Sequence, residues 1–161
     1  MPIRELDPAA DLALVRGLWQ AAPDYWLLAE GGCDPDARAA AFFADGPPGC
    51  DPAQSHRLGL FLGDRLSGVA EVSYGFPAAG DAYLGLMVLA PWAQGAGHGR
   101  VFLVHAEALA RSRGATAIYL AVLDVNPRGR AFWEGQGFAD TGIARRDNDT
   151  GHQVFRLRKP L

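Results

Sequence analysis

The segment Pro91-Trp92-Ala93-Gln94-Gly95-Ala96-Gly97-His98-Gly99-Arg100 carries three glycines at alternate positions, just ahead of a stretch with helical spacing. Glycine permits backbone conformations that a side chain forbids and lets the chain approach a bulky ligand closely. A loop that feeds a helix N-terminus presents unpaired N–H groups and the positive end of the helix dipole, both of which favour an anion. A phosphate or pyrophosphate is the ligand chemistry to expect. Two common phosphate loops are excluded. A Walker A loop needs Gly-x-x-x-x-Gly-Lys and then Ser or Thr, and no lysine stands here. A dinucleotide fingerprint needs Gly-x-Gly-x-x-Gly after the first strand of a doubly wound sheet, and this spacing differs.

The spacing that fits is Gln/Arg-x-x-Gly-x-Gly/Ala, met by Gln94, Gly97 and Gly99, with Pro91 three residues ahead. The apolar strand Met87-Val88-Leu89 precedes it, and Asn126, Ala131 and Gly137-Phe138 follow it. In these residues the sequence resembles the GNAT superfamily of N-acetyltransferases, specifically over about 82 to 138 and, in the order of elements, over the whole chain. The resemblance implies acetyl-CoA as acyl donor, its pyrophosphate held by Gln94, Gly95, Ala96, Gly97, His98, Gly99 and Arg100. His98 would contribute its backbone N–H. It also implies that the strand at Met87, Val88 and Leu89 splays from that at Ile118 to Leu123. The pantetheine arm would slot in by a form of strand addition. A backbone N–H near Val88 or Leu89 would polarise the thioester carbonyl and support the oxyanion, and Asn126 would contact the pantetheine arm.

Two positions depart from the family pattern. Five residues ahead of Phe138, where the family often has the tyrosine that protonates the leaving thiolate, stands Trp133. An indole N–H is no useful acid at neutral pH, so Trp133 packs beside the cofactor or in the core. The frequent carboxylate on the central strand is also missing, because Gly85 and Leu86 occupy the corresponding places. Glu71, Asp81, Tyr83 and Tyr74 are the nearby substitutes; Glu71, as a water-linked base, and Tyr83 are the catalytic candidates. An acceptor alkylamine has a pKa of about 10 and must lose a proton to react, so a base is needed. Catalysis by positioning, with protons handled by water, is the alternative.

Elements that position these residues can be read around them. Pro2 to Leu6 alternates as a strand. Asp7-Pro8 is a helix-start signal, followed by Leu12, Val15, Leu18 and Trp19 at helical spacing. Asp34-Pro35 repeats the signal before a helix over 37–44. Leu58 to Leu62 and Leu66 to Tyr74 make a hairpin around Gly63-Asp64-Arg65. Ala82 to Leu89 and Ile118 to Leu123 are continuous apolar runs, suited to the buried middle of a sheet. Between them lies a helix over 101–113 that ends at Gly114. That strand–helix–strand unit should cross over right-handedly, which makes its strands parallel. Pro127 opens a last helix, and Gly142 to Arg146 with Gln153 to Arg158 close as a hairpin whose tip, Arg145 to Asp149, is solvated. The expected fold is α/β: one domain over 1–161, a mixed, mostly antiparallel sheet with a central pair of splayed parallel strands and flanking helices. Tyr25, Trp26, Phe42 and Phe43 fall where the resemblance implies an acceptor pocket.

Bulk properties narrow the function classes. The chain is 49% apolar and 20% charged, as a folded globular protein should be. Its net charge of −3 argues against nucleic acid as a partner. No apolar run approaches the roughly 20 residues of a membrane span, and no signal peptide is evident at the start, which suggests a soluble, cytoplasmic protein. The four histidines show no metal-ligand spacing, and Cys33 and Cys50 read as free thiols. The expected reaction is acetyl transfer to a primary amine of a small molecule, weighted to a cationic one by the acidic chain. A protein or peptide N-terminus, or a CoA-binding regulatory module without catalysis, are the other readings. A homodimer is the expected association, on the resemblance alone.

Overall fold

Apolar and buried residues run almost continuously along the central strands, so both faces of the sheet must be covered, and helices cover them unequally. The computed structural model describes residues 2–161. Among these residues the strands are β1 (Ile3–Glu5), β2 (His56–Leu62), β3 (Arg65–Tyr74), β4 (Asp81–Leu89), β5 (Ala117–Leu123), β6 (Ala139–Arg146) and β7 (Gln153–Pro160). The helices are α1 (Leu12–Ala21), α2 (Asp24–Glu30), α3 (Pro35–Ala44), α4 (His98–Ser112) and α5 (Pro127–Gly135). The strands form one sheet in the order β1-β2-β3-β4-β5-β7-β6. Only β4 and β5 run parallel.

Against one face, α4 and α5 bury a core that runs across the sheet from β1 to β7, with Leu60, Val72, Leu84, Phe102, Ile118 and Leu157 at its centre. Against the other face, α1 and α3 bury Val15, Leu18, Trp19, Ala39 and Phe42 on Phe61, Leu66 and Val69. These strand residues all belong to β2 and β3, so the second layer of helices stops short of β5. The open ground beyond it becomes the cleft described below.

The helix signals are only partly as expected. Asp34 caps α3 by accepting from the Ala37 N–H at 3.2 Å. Asp7, by contrast, caps a turn, accepting from the Ala9 and Ala10 N–H groups at 2.9 and 2.7 Å. Helix α1 therefore begins at Leu12, behind Asp11. Helix α2 was not foreseen: Pro23 opens it and Gly31, in the left-handed conformation at φ 75°, ends it. Helix α4 starts three residues earlier than the apolar spacing indicates, because the glycine loop runs straight into it. No helix is long and apolar enough to cross a membrane.

Candidate active site

Parallel pairing between β4 and β5 is confined to Asp81–Tyr83 against Ala117–Tyr119. Beyond that point the strands separate. Along its other edge β4 stays paired with β3 as far as Leu89, and β5 stays paired with β7 as far as Leu123. The gap therefore exposes one unpaired backbone edge of β4 over Met87, Val88 and Leu89, the splay expected from the sequence. Met87 and Leu89 point into the α4 side of the core, while Leu86 and Val88 pack on the α1–α3 side.

At the end of β4 the chain turns through a 3₁₀ segment, Pro91–Ala93, into the glycine loop. The Gln94 side-chain N–H donates to the Leu89 carbonyl at 2.9 Å and ties the loop to the strand. Gly95 and Gly97 both hold left-handed backbone, at φ 81° and 85°, which an L side chain resists. Gly99 sits under α5, where an added Cβ would press on the Phe132 ring at 3.3 Å. The first helical bond of α4 runs from the Val101 N–H to the Gly97 carbonyl. Among the described residues, no backbone N–H from Gly95 through Arg100 finds a protein acceptor. Six consecutive donors at a helix N-terminus, with the Arg100 side chain exposed and unpaired beside them, suit an anion such as a pyrophosphate. The residues present thus fit the diphosphate and the extended arm of a CoA thioester.

Asn126 caps α5 by accepting from the Gly129 N–H at 2.9 Å. Its amide fills the space that a side chain at Gly129 would need. Trp133 is 9% exposed and packs edge-on against Phe138, with ring centroids 5.6 Å apart. The indole belongs to the core cluster beneath α4 and α5.

On the opposite side of the sheet a cleft of about 600 Å³ opens where the α1–α3 layer ends. Trp26 and Phe42 line it from α2 and α3, Glu71, Tyr83 and Gly85 from the sheet, and Ile143 and Arg156 from the β6–β7 hairpin. Tyr25 and Phe43 lie outside it. Glu71 reaches the cleft through a β-bulge. Opposite β3, the register of β4 passes from Leu86 on Glu71 to Leu84 on Val72, so that Gly85 is the extra residue. An added Cβ at Gly85 would collide with the Glu71 carboxylate. The space left by the missing side chain on β4 is thus occupied by a carboxylate from β3.

Glu71 is 5% exposed. The Ser73 hydroxyl donates to it, and the Arg57 guanidinium lies 3.9 Å away. Burial pushes the Glu71 carboxyl above its ordinary value, while Ser73, Arg57 and the Gly85 backbone pull the other way. Arg57 is itself held by the Phe42 carbonyl and, at 2.8 Å, by the Ser55 hydroxyl. Tyr83 stands beside Glu71 and packs edge-on against Phe76 at 5.1 Å. Burial raises its phenol, which makes it a poor base and keeps it protonated at neutral pH. Asp81 turns away, its carboxylate accepting from the Ala78 N–H at 3.2 Å. Tyr74 packs edge-on against His56, and its phenol is raised to about 12 by burial. Neither lines the cleft.

Sequence reasoning missed Arg57, Ser73, Arg145 and Arg156. Arg145, expected in a solvated hairpin tip, belongs to β6 and lines the cleft, and the turn begins only at Asp147. Glu71 did leave a signal, as a charge inside an otherwise apolar strand run, whereas Arg57 stands just ahead of one.

The model of the acetyltransferase (GNAT) family matches residues 16–138, most of the chain, and the protein belongs to that family. Comparison with curated proteins finds no match. Among solved structures, an acetyltransferase from Thermus thermophilus is 25% identical, with a TM-score of 0.74 over 99% of this chain and 96% of that one. The ribosomal-protein-S18-alanine N-acetyltransferase of Escherichia coli is 20% identical, with a TM-score of 0.72 over 99% and 92%. A PaiA N-acetyltransferase from Thermoplasma acidophilum, solved in complex with coenzyme A, is 17% identical, with a TM-score of 0.70 over 99% and 98%. The last two likenesses concern the fold alone.

Proposed function

We propose that this protein transfers the acetyl group of acetyl-CoA to the primary amine of a small molecule. The observation that carries the proposal is the meeting, at one splayed pair of strands, of a glycine loop rich in free N–H donors with a cleft that holds a buried carboxylate. Bound acetyl-CoA supplies an activated thioester: the carbon–nitrogen bond forms as the carbon–sulfur bond breaks, and CoA leaves as its thiol.

The chain's own residues divide the remaining work. Gln94 to Arg100 hold the diphosphate, and the open edge of Met87 to Leu89 binds the pantetheine arm as an added strand. Asn126 fixes the start of α5 beside that arm. Glu71 takes the proton the amine must lose, directly or through one water, and its raised affinity for protons suits a base working near neutral pH. Tyr83, protonated beside it, donates a hydrogen bond to an acceptor or to the linking water.

Titration of the purified protein with acetyl-CoA by calorimetry, followed by thiol release with a panel of amines, tests this reading. Binding together with amine-dependent release supports it. Absence of binding removes it, and binding without release by any amine leaves a CoA-binding regulatory module in its place.

A further inference from the structure

The cleft's local charge is opposite in sign to that of the chain. Its lining holds four arginines, Arg38, Arg57, Arg145 and Arg156, against two carboxylates, Asp45 and Glu71. Two of the arginines are already engaged, Arg38 with Glu30 and Arg57 with Glu71. Arg145 and Arg156 have no carboxylate within ion-pair distance among the described residues.

Their placement follows from strand register. Arg145 lies opposite Val154 across the β6–β7 pair, and Arg156 is two residues further along β7. All three line the cleft, so the guanidinium groups are diagonal neighbours on one face, within reach of a common ligand. Ala121, opposite Arg156 on β5, leaves space beneath them. The Arg156 guanidinium lies 5.1 Å from the centre of the Phe76 ring, which holds it over the cleft. Two like charges side by side repel, and a planar anion accepting from both forks relieves that repulsion. The carboxylate pole is elsewhere: Glu71 is buried at the bottom, whereas Arg145 is exposed at the rim. Trp26, Phe42, Phe76 and Tyr83 give the same cleft aromatic walls.

We infer that the acceptor is an amino acid with an apolar or aromatic body, its carboxylate held between Arg145 and Arg156 and its amine turned toward Glu71. The inference rests on the acetyl-transfer reading and replaces the purely cationic amine that the chain's net charge suggests. Transfer forms the amide at the amine nitrogen as the thioester carbon–sulfur bond breaks, passes the amine's proton to Glu71 and on through water to the leaving CoA thiolate, and leaves the acceptor's carboxylate unchanged.

The test compares aromatic amino acids with one or more carbons between amine and carboxylate, their methyl esters and the corresponding decarboxylated amines. Acetyl-CoA affinity is measured on the same samples. The free acids should be favoured in kcat/KM by about tenfold or more over both carboxylate-free forms. In Arg145→Ala/Arg156→Ala the KM for the free acids should rise by a similar factor, erasing the preference, while kcat and acetyl-CoA affinity change little. Carboxylate-free forms used as well as the acids, a preference that survives in the double variant, or bound acetyl-CoA with no thiol released by any acid each overturn the inference. Failure to bind acetyl-CoA would instead remove the acyl-transfer reading beneath it.

Discussion

Gly85 and Glu71 share one space: the place a side chain at 85 would occupy is filled by the Glu71 carboxylate. The bulge at Gly85 and the acid on the neighbouring strand form one device. Gly85→Ala should therefore behave as a mutation of Glu71. We expect kcat to fall by about tenfold or more, part of the 100-fold or greater loss expected of Glu71→Gln, with acetyl-CoA affinity nearly unchanged in both. Steady-state kinetics beside calorimetry will check this; a fully active Gly85→Ala would break the link between bulge and base.

The pH profile gives an independent reading of Glu71. Burial is the largest influence and raises its carboxyl above 4.5. A base acts when ionised, so kcat/KM should climb with pH through a limb displaced above the ordinary carboxylate range. Glu71→Gln should lose that limb and keep the one belonging to the amine, near a pKa of about 10. The sign for stability is also fixed. The folded carboxyl holds its proton more tightly than the unfolded one, so its stabilising contribution is complete below the unfolded value. That contribution is lost as pH rises through the folded value. A low-pH limb that persists in Glu71→Gln would take this residue out of the chemistry.

The glycine loop depends on backbone that only glycine adopts without strain. At Gly97, with φ 85°, a β-branched residue costs about 1–2 kcal/mol or forces the loop to move. Gly97→Val should weaken acetyl-CoA binding by about tenfold or more while lowering the melting temperature by only a few degrees. Retained affinity would show that the diphosphate is bound elsewhere.

Trp133 should act on stability and not on cofactor affinity. Truncation of this core indole to alanine is expected to cost about 3–5 kcal/mol, measurable by urea unfolding. Trp133→Phe, which keeps the ring contact to Phe138, should bind acetyl-CoA as the wild type does. A large loss of affinity in the phenylalanine variant would return Trp133 to the binding site.

Acid sensitivity should also pass through Asp11. Its carboxylate accepts two hydrogen bonds from Arg4, both at 2.9 Å, and one from the Asp7 N–H at 2.7 Å. The Arg4 hydrogen bond is the main cause that holds its carboxyl below 3.8. A lowered value means stabilisation present above the unfolded pKa and lost as pH falls through the folded one. Asp11→Asn should lower Tm at neutral pH and make Tm less steep with pH below 3.8. Equal thermal melting of the two proteins across that range would refute the assignment.

What the sequence made legible was local. The glycine loop, the cap at Asp34, the hairpin at Gly63 and the apolar runs of β4 and β5 each declare themselves within a few residues. The start of α1 was misplaced because Asp7 has two competing uses, helix cap or turn cap, and only the fold decides between them. Helix α2 escaped because Tyr25, Trp26, Leu27 and Leu28 are consecutive and show no 3.6-residue period, and the two leucines stay largely exposed. In the cleft, Arg57, Glu71, Arg145 and Arg156 come from four different strands. Their meeting depends on strand order and on one bulge, neither of which is written at any single position.

The three rungs that join β4 to β5 also have a mechanical meaning. The sheet consists of two plates, one of four strands and one of three, pinned together at one end and backed on one face by the α4–α5 layer. Plates pinned in this way open like tongs at the free end. An extended molecule laid in the opening is gripped along both of its edges, yet it can leave without breaking a single bond within either plate.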